Sequence, residues 1–279
     1  MQRVASFIDS HLGQPLPLDR LSEVAASSKF HFHRQFHAWT GMPVYSYVQN
    51  ARLHLACFRL AYRPDTTITE VAYDCGYRSP EAFSRNFKGF TGQTPSAFRN
   101  DPKLFEWYDR KTRFSMARRH TALLSLSTTD VVLASFPLTR IAEVEHLGNP
   151  AAMPMTIRKF IAWRRQSGIG PRTATFNVLH TALDGPDEFR MGIGAAISWD
   201  TPICAAGVSA RVIPAGRVAR LRLRGSGDDL RQATAFLYGV WLPASGAKPR
   251  DFPLLVQRHT MFPDVPESSA ITDLLLPIQ

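Results

Sequence analysis

The sequence predicts an all-α N-terminal domain with two helix-turn-helix units joined by a long helix. An α+β domain of two pseudo-repeated βαββ-like halves follows it. Three observations carry this reading. Phe32, Arg34, Phe36, Thr40 and Gly41 recur as Phe83, Arg85, Phe87, Thr91 and Gly92, at a constant offset of 51. Apolar spacing is helical up to about residue 105, and from Val131 onward it turns β-branched and alternating. Arg140, Ala142 and Gly148 recur as Arg217, Ala219 and Gly225, at an offset of 77.

In the first unit Leu18, Leu21, Val24 and Ala25 form one short apolar stripe, and Ala26 and Ser27 turn the chain. Ser28 is placed to cap the next helix, whose inner stripe is Phe32, Phe36 and Trp39 and whose end is Gly41. In the second unit Ile68, Val71 and Ala72 form the short stripe, with Gly76 at the turn. Ser79 caps, Pro80 takes the first helical position, and Phe83, Phe87 and Phe90 face inward. Between the units, Val44 to Tyr62 reads as one amphipathic helix of about 27 Å at 1.5 Å per residue. That length suits two recognition helices about one DNA turn, roughly 34 Å, apart. Arg52 and Arg59 on its polar face fit either phosphate contact or plain exposure.

Two short helices joined by a tight turn place the second helix in a major groove. The outward residues are then Phe30, His31, His33, Arg34 and His37 in the first unit. In the second they are Arg78, Ser79, Glu81, Ala82, Arg85, Asn86 and Lys88. A guanidinium one turn into each helix suits guanine O6 and N7, or a phosphate. Asn86 suits adenine or a phosphate, and Glu81 a cytosine amine or the exclusion of wrong sequences. Charge agrees with a polyanion partner: residues 1–120 hold 17 Lys and Arg against 10 Asp and Glu, residues 121–279 hold 16 against 13, and the whole chain is +10. His33 and His37 share a helix face but lack a nearby third ligand, so DNA contact or exposure is the expectation, with no metal and no cofactor.

Leu16–Phe36, the run Arg78–Gly92 (RSPEAFSRNFKGFTG) and the following Pro95–Phe98 resemble the DNA-binding domain of the AraC/XylS transcription regulators. The stretch Ile68–Arg99 is the more specific half. The resemblance covers roughly residues 1–105 and implies that both recognition helices meet base edges, with Phe30, His33 and Arg34 in the first and Glu81, Ala82 and Arg85 in the second. The first unit departs from the pattern: Ser27 replaces an apolar residue, Lys29 a small residue or proline, and His33 a common glutamine.

Residues 106–128, with the basic run EWYDRKTRFSMARRH, read as a linker. Beyond it, strands are expected at Ile141–Leu147, Thr175–His180, Arg190–Ile197, Val218–Arg224 and Leu254–His259. Helix-like stretches are expected around Ile157–Trp163 and Leu230–Trp241. The run Arg140–Gly148 and the stretch Phe236–His259 resemble a GyrI-like effector-binding domain over about residues 129–279. That resemblance implies a hydrophobic cleft with a central glutamate, and the matching position is Gln257, with His259 where tyrosine is common. A glutamine brings hydrogen bonds without charge, so a neutral or weakly polar aromatic effector is expected, unless Glu143, Glu145 or Asp200 restores a charge. Candidate lining residues are Phe160, Trp163, Phe176, Trp199, Tyr238, Trp241, Gln257 and His259, and core packing is the other reading of each aromatic.

No nucleophile elbow, P-loop or zinc-protease motif is present, and the central carboxylate is replaced, which argues against a hydrolase. A ligand- or protein-binding chain with only non-specific DNA affinity is the other alternative. Cys57, Cys75 and Cys204 follow no metal or redox spacing and read as reduced thiols in apolar settings. With no leader and no membrane-spanning run, a cytoplasmic protein is expected, with double-stranded DNA, a small-molecule effector and RNA polymerase as partners.

Overall fold

The computed structural model describes residues 1–104, 106, 107, 110, 114, 125–180, 189–225 and 229–279. The expected linker over 106–128 falls largely outside the described residues. The chain forms two compact units, the first within Met1–Leu123 and the second built from Leu124–Val265 and Ser269–Gln279.

The first unit is all helical: α1 (Gln2–Ser10), α2 (Leu18–Val24), α3 (Lys29–Thr40), α4 (Val44–Tyr62), α5 (Ile68–Asp74), α6 (Pro80–Thr91) and α7 (Pro95–Asn100). The α4 span agrees with the helix read from the sequence. The phenylalanine stripes close the core, since Phe32, Phe36, Phe83 and Phe87 are fully buried. The repeated Thr-Gly pair is one device used twice. The buried Thr40 hydroxyl donates to Phe36 O at 2.8 Å and accepts from Met42 N, while Gly41 takes a left-handed φ of 73°. Thr91 does the same toward Phe87 O at 2.9 Å and Gln93 N, with Gly92 at φ 77°. Each threonine satisfies its own hydroxyl and an N–H beyond the helix end while the glycine turns the chain out.

The two turns are equivalent but not equal in length. Ala26 N–H donates to Glu23 O and Ser27 N–H to Ser22 O; Gly76 N–H donates to Tyr73 O and Tyr77 N–H to Ala72 O. Ala26 therefore matches Gly76, and the second turn has one more residue before its capping serine. Both positions are left-handed, φ 52° at Ala26 and 75° at Gly76.

Both units dock on α4. Phe36 of α3 meets Tyr47 edge-on at 5.2 Å, and Phe90 of α6 meets His54 edge-on at 5.1 Å. His54 is buried and accepts from the Trp107 indole at 3.3 Å. Arg52 donates to Leu12 O at 2.9 Å and Gln14 O at 2.7 Å, and Arg59 pairs with Asp74. Arg52 thus ties α4 to the segment between α1 and α2, and Arg59 ties α4 to α5.

The second unit is one antiparallel sheet of eight strands: β1 (Val131–Phe136), β2 (Thr139–Leu147), β3 (Thr175–Leu179), β4 (Arg190–Ala196), β5 (Ser209–Ile213), β6 (Gly216–Arg224), β7 (Leu254–Thr260) and β8 (Ile271–Pro277). Its order is β1-β6-β8-β7-β3-β4-β2-β5. The order reads the same from either edge once β1–β4 and β5–β8 are exchanged as β1↔β5, β2↔β6, β3↔β7 and β4↔β8. This is the internal repeat: two βαββ halves meet at β3–β7, and each half lends an arm strand to the other's edge. Helix α8 (Met153–Gln166) lies in the first half. In the second, α9 (Leu230–Phe236) continues through a π-helical turn, Leu237–Trp241, into Leu242–Ser245.

Strand alternation sorts the sheet into two faces. On one, Ala142, Val144, Ile193 and Ala195 pack with Phe160 and Trp163 of α8, and Leu221, Val256 and Leu274 pack with Ala233, Leu237 and Trp241. On the other, Phe136, Ile141, Phe176, Val178, Ile213, Val218, Leu255 and Leu275 form an apolar centre.

Candidate functional site

The second helix of each helix-turn-helix presents its outer face to solvent. Ser28 caps α3, accepting from His31 N at 3.4 Å, and Phe30, His31, His33, Arg34 and His37 are all exposed. The Arg34 guanidinium lies 5.6 Å from the centre of the Phe30 ring. Phe30 is 66% exposed and also meets the His31 ring edge-on at 5.5 Å, so these two contacts restrain a side chain left largely open to solvent. On α6, Ser79 accepts from Ala82 N at 3.2 Å and Pro80 opens the helix. Arg78, Glu81, Arg85, Asn86 and Lys88 are exposed, while Ser79 and Ala82 are half-buried. The Tyr77 hydroxyl donates to Gln49 Oε1 at 3.0 Å. Burial, and then the neighbouring Cys75, push the Tyr77 hydroxyl up to about 12. The bond to Gln49 ties the turn before α6 to α4. Among the described residues no group of three or more His, Cys, Asp and Glu is placed to hold a metal.

The second unit brings only some of the candidate lining residues together. Phe176, Gln257 and His259 lie on the sheet face away from α8 and α9, with Phe176 and Gln257 directly paired across β3 and β7. Phe160, Trp163 and Trp241 are buried in the core on the opposite face. Trp199 and Tyr238 are exposed, Tyr238 on the π-helical turn.

The Gln257 face carries a pattern that the sequence reading missed. Two registered rows cross six strands. One runs Arg222–Asp273–Gln257–Phe176–Gly194–Glu143, and the next Arg220–Leu275–Leu255–Val178–Gly192–Glu145. Each has arginine on β6 and glutamate on β2, and the offset of 77 relates the glutamate of one row to the arginine of the other. The repeat that located the two halves therefore held the signal, in the pairs Glu143/Arg220 and Glu145/Arg222.

Three carboxylates on this face are matched. Arg222 grips Asp273 with two bonds, at 2.7 and 2.8 Å, and His259 Nε2 lies 2.9 Å from the same carboxylate. Burial works to raise the Asp273 carboxyl, but hydrogen bonds from Arg222 and His259 outweigh it and hold the group below its ordinary value. Glu145 pairs with Arg190 at 2.6 Å, and Glu143, almost wholly buried, pairs with Arg211. Glu143 Oε1 also lies 3.6 Å from His180 Nε2. Burial and then the Arg211 charge hold His180 below its ordinary value. Gly192 accommodates the Glu143 carboxylate, which occupies the place a Cβ would take. Asp200, considered as a substitute acid, sits in an exposed turn. Cys57 and Cys75 are buried as expected, but Cys204 is exposed, contrary to the apolar setting expected for it.

A helix-turn-helix domain together with a small-molecule-binding domain defines a ligand-responsive DNA-binding regulator. The chain belongs to the GyrI-like small molecule binding domain family, whose model matches residues 129–279, and a helix-turn-helix domain model matches residues 21–101. It is similar to the probable transcriptional regulator YgiV of Escherichia coli K12, 32% identical over 155 residues, which cover 54% of this chain and 97% of YgiV. It is also similar to the uncharacterized HTH-type transcriptional regulator YbfP of Bacillus subtilis, 37% identical over 105 residues, 38% of this chain and 35% of that one. Among solved structures, the DNA-binding domain of the global transcriptional factor AdpA, in complex with a target DNA, is 28% identical with a TM-score of 0.34, covering 40% of this chain and 95% of that one. No described helix is long and apolar enough to cross a membrane.

Proposed function

We propose that the chain is an AraC/XylS-type regulator whose residues 1–105 read DNA and whose residues 129–279 bind an effector on the Gln257 face. The observation that carries the DNA reading is the repeated exposed guanidinium. Arg34 and Arg85 sit at equivalent places on two capped helices, each opposite a buried phenylalanine pair. The remaining exposed side chains of α3 and α6 supply phosphate grip and discrimination around them. Effector binding alters how this module is presented to the duplex, or to RNA polymerase beside it, in the cytoplasm. For that coupling to be allosteric, effector affinity must differ between free and DNA-bound protein.

Selection of bound sequences from a random duplex pool tests the reading. The expected result is enrichment of a defined site. Equal binding to random duplex, with steep salt dependence, would instead mark a non-specific anchor.

A further inference from the structure

We infer that DNA binding takes up protons at the first recognition helix: His33 and His37 grip phosphate in their charged form, so the chain holds DNA more tightly as pH falls below neutrality. This rests on the reading of α3 as a DNA-facing helix. Phe30, His33, Arg34 and His37 stand at i, i+3, i+4 and i+7, which makes one helical stripe, and all four are exposed. His31 stands off that stripe, edge-on to the Phe30 ring. The offset of 51 puts Lys88 of α6 where α3 has His37, and Glu81 where it has Phe30. The second helix thus carries two fixed cations, Arg85 and Lys88, beside a carboxylate. The first has neither Asp nor Glu from Lys29 to Thr40, and its Lys29 is held by Asp19 at 2.7 Å. Arg34 is then its one fixed cation without a carboxylate partner among the described residues. Further charge for a phosphate on this helix comes from the imidazoles.

The surroundings leave both rings free to take it. The elements packed against α3 are α2 and α4. The charged groups of α2 are Asp19, paired with Lys29, Arg20, which reaches Gln14 and the Phe7 ring, and the exposed Glu23. On α4, Arg52 and Arg59 are engaged with Leu12, Gln14 and Asp74, His54, Cys57, Tyr47 and Tyr62 are buried, and Tyr45 is exposed. Among the described residues none of these groups pairs with His33 or His37. Imidazole titrates at about pH 6.5 and a backbone phosphate is charged throughout that range, so contact favours the protonated ring. Where the charged form of one ring binds DNA about tenfold better than the neutral form, linkage makes binding about sixfold tighter at pH 6.0 than at pH 8.0. Two such rings give about thirty- to fortyfold.

Fluorescence anisotropy of the full chain at pH 6.0 and 8.0, at fixed ionic strength, tests this on two labelled duplexes, one carrying the site enriched from the random pool and one of random sequence. The wild type should bind about tenfold or more tightly at pH 6.0, and the slope of log affinity against log salt should steepen there by about one to two. The H33Q/H37Q double variant should bind nearly equally at the two pH values. H37K, which copies Lys88, should bind more tightly than the wild type at pH 8.0 and keep only the His33 share of the pH response, about sixfold. Circular dichroism with wild-type helix content shows that both variants are folded. Equal wild-type affinity at the two pH values, or an undiminished pH response in H33Q/H37Q, overturns the proton inference while leaving α3 on DNA. Binding of neither duplex at either pH removes the DNA face itself, and the role of the two histidines with it.

Discussion

Ala26 and Gly76 hold the same left-handed turn with different side chains, and their substitutions should move stability in opposite directions. At Ala26 the Cβ strains the backbone, so A26G relieves about 1–2 kcal/mol of strain against up to about 1 kcal/mol of added chain entropy. A small gain in urea midpoint is expected. At Gly76 an added Cβ would stand 2.5 Å from Leu12 O as well as in a disfavoured conformation. G76A should therefore cost on the order of 2 kcal/mol or more. His180 gives a pH prediction. Its folded value is depressed, so the folded state prefers it neutral, and the stability this contributes is complete above about pH 6.5 and falls as pH drops from there toward the folded value. Thermal unfolding at pH 5.5 and 7.5 should show a smaller acid loss in H180Q than in the wild type. An equal loss in both would remove His180 from the acid response.

At the scale of elements, α8 and α9 with its π-helical turn hold the sheet from one side only, through Phe160, Trp163, Leu237 and Trp241. W163A should cost about 3–5 kcal/mol of stability, yet leave ligand affinity unchanged at temperatures where the protein stays folded. A specific loss of affinity in a stable W163A would move the site to the helical face. The helices were legible because their signals are local: capping serines, stripes at helical spacing, and a repeated Thr-Gly end. Two strands of the sheet, the interior β8 and the edge strand β5, were not. β8 reads ITDLLLP, a nearly continuous apolar run with no alternation, because it is buried on both faces. Asp273 was hidden inside that run. β5 is short and exposed, and its partner is a strand more than sixty residues earlier, which no local pattern announces. Aromatic identity also misled the choice of lining residues, since Phe160, Trp163 and Phe176 look alike in sequence and lie on different faces.

For the whole molecule, duplication is the common theme. The N-terminal repeat sets out two guanidinium-bearing helices. The C-terminal repeat sets out two half-sheets whose equivalent positions have diverged to opposite charges, glutamate on β2 and arginine on β6. Methylation interference on a selected duplex tests the central claim, that each helix-turn-helix delivers one arginine to guanine. With the wild type, methylation of guanine N7 should block binding at two separate groups of bases, and R34A and R85A should each abolish one group and spare the other. If both variants weaken binding while leaving the same interference pattern, the two arginines hold phosphate and do not read bases.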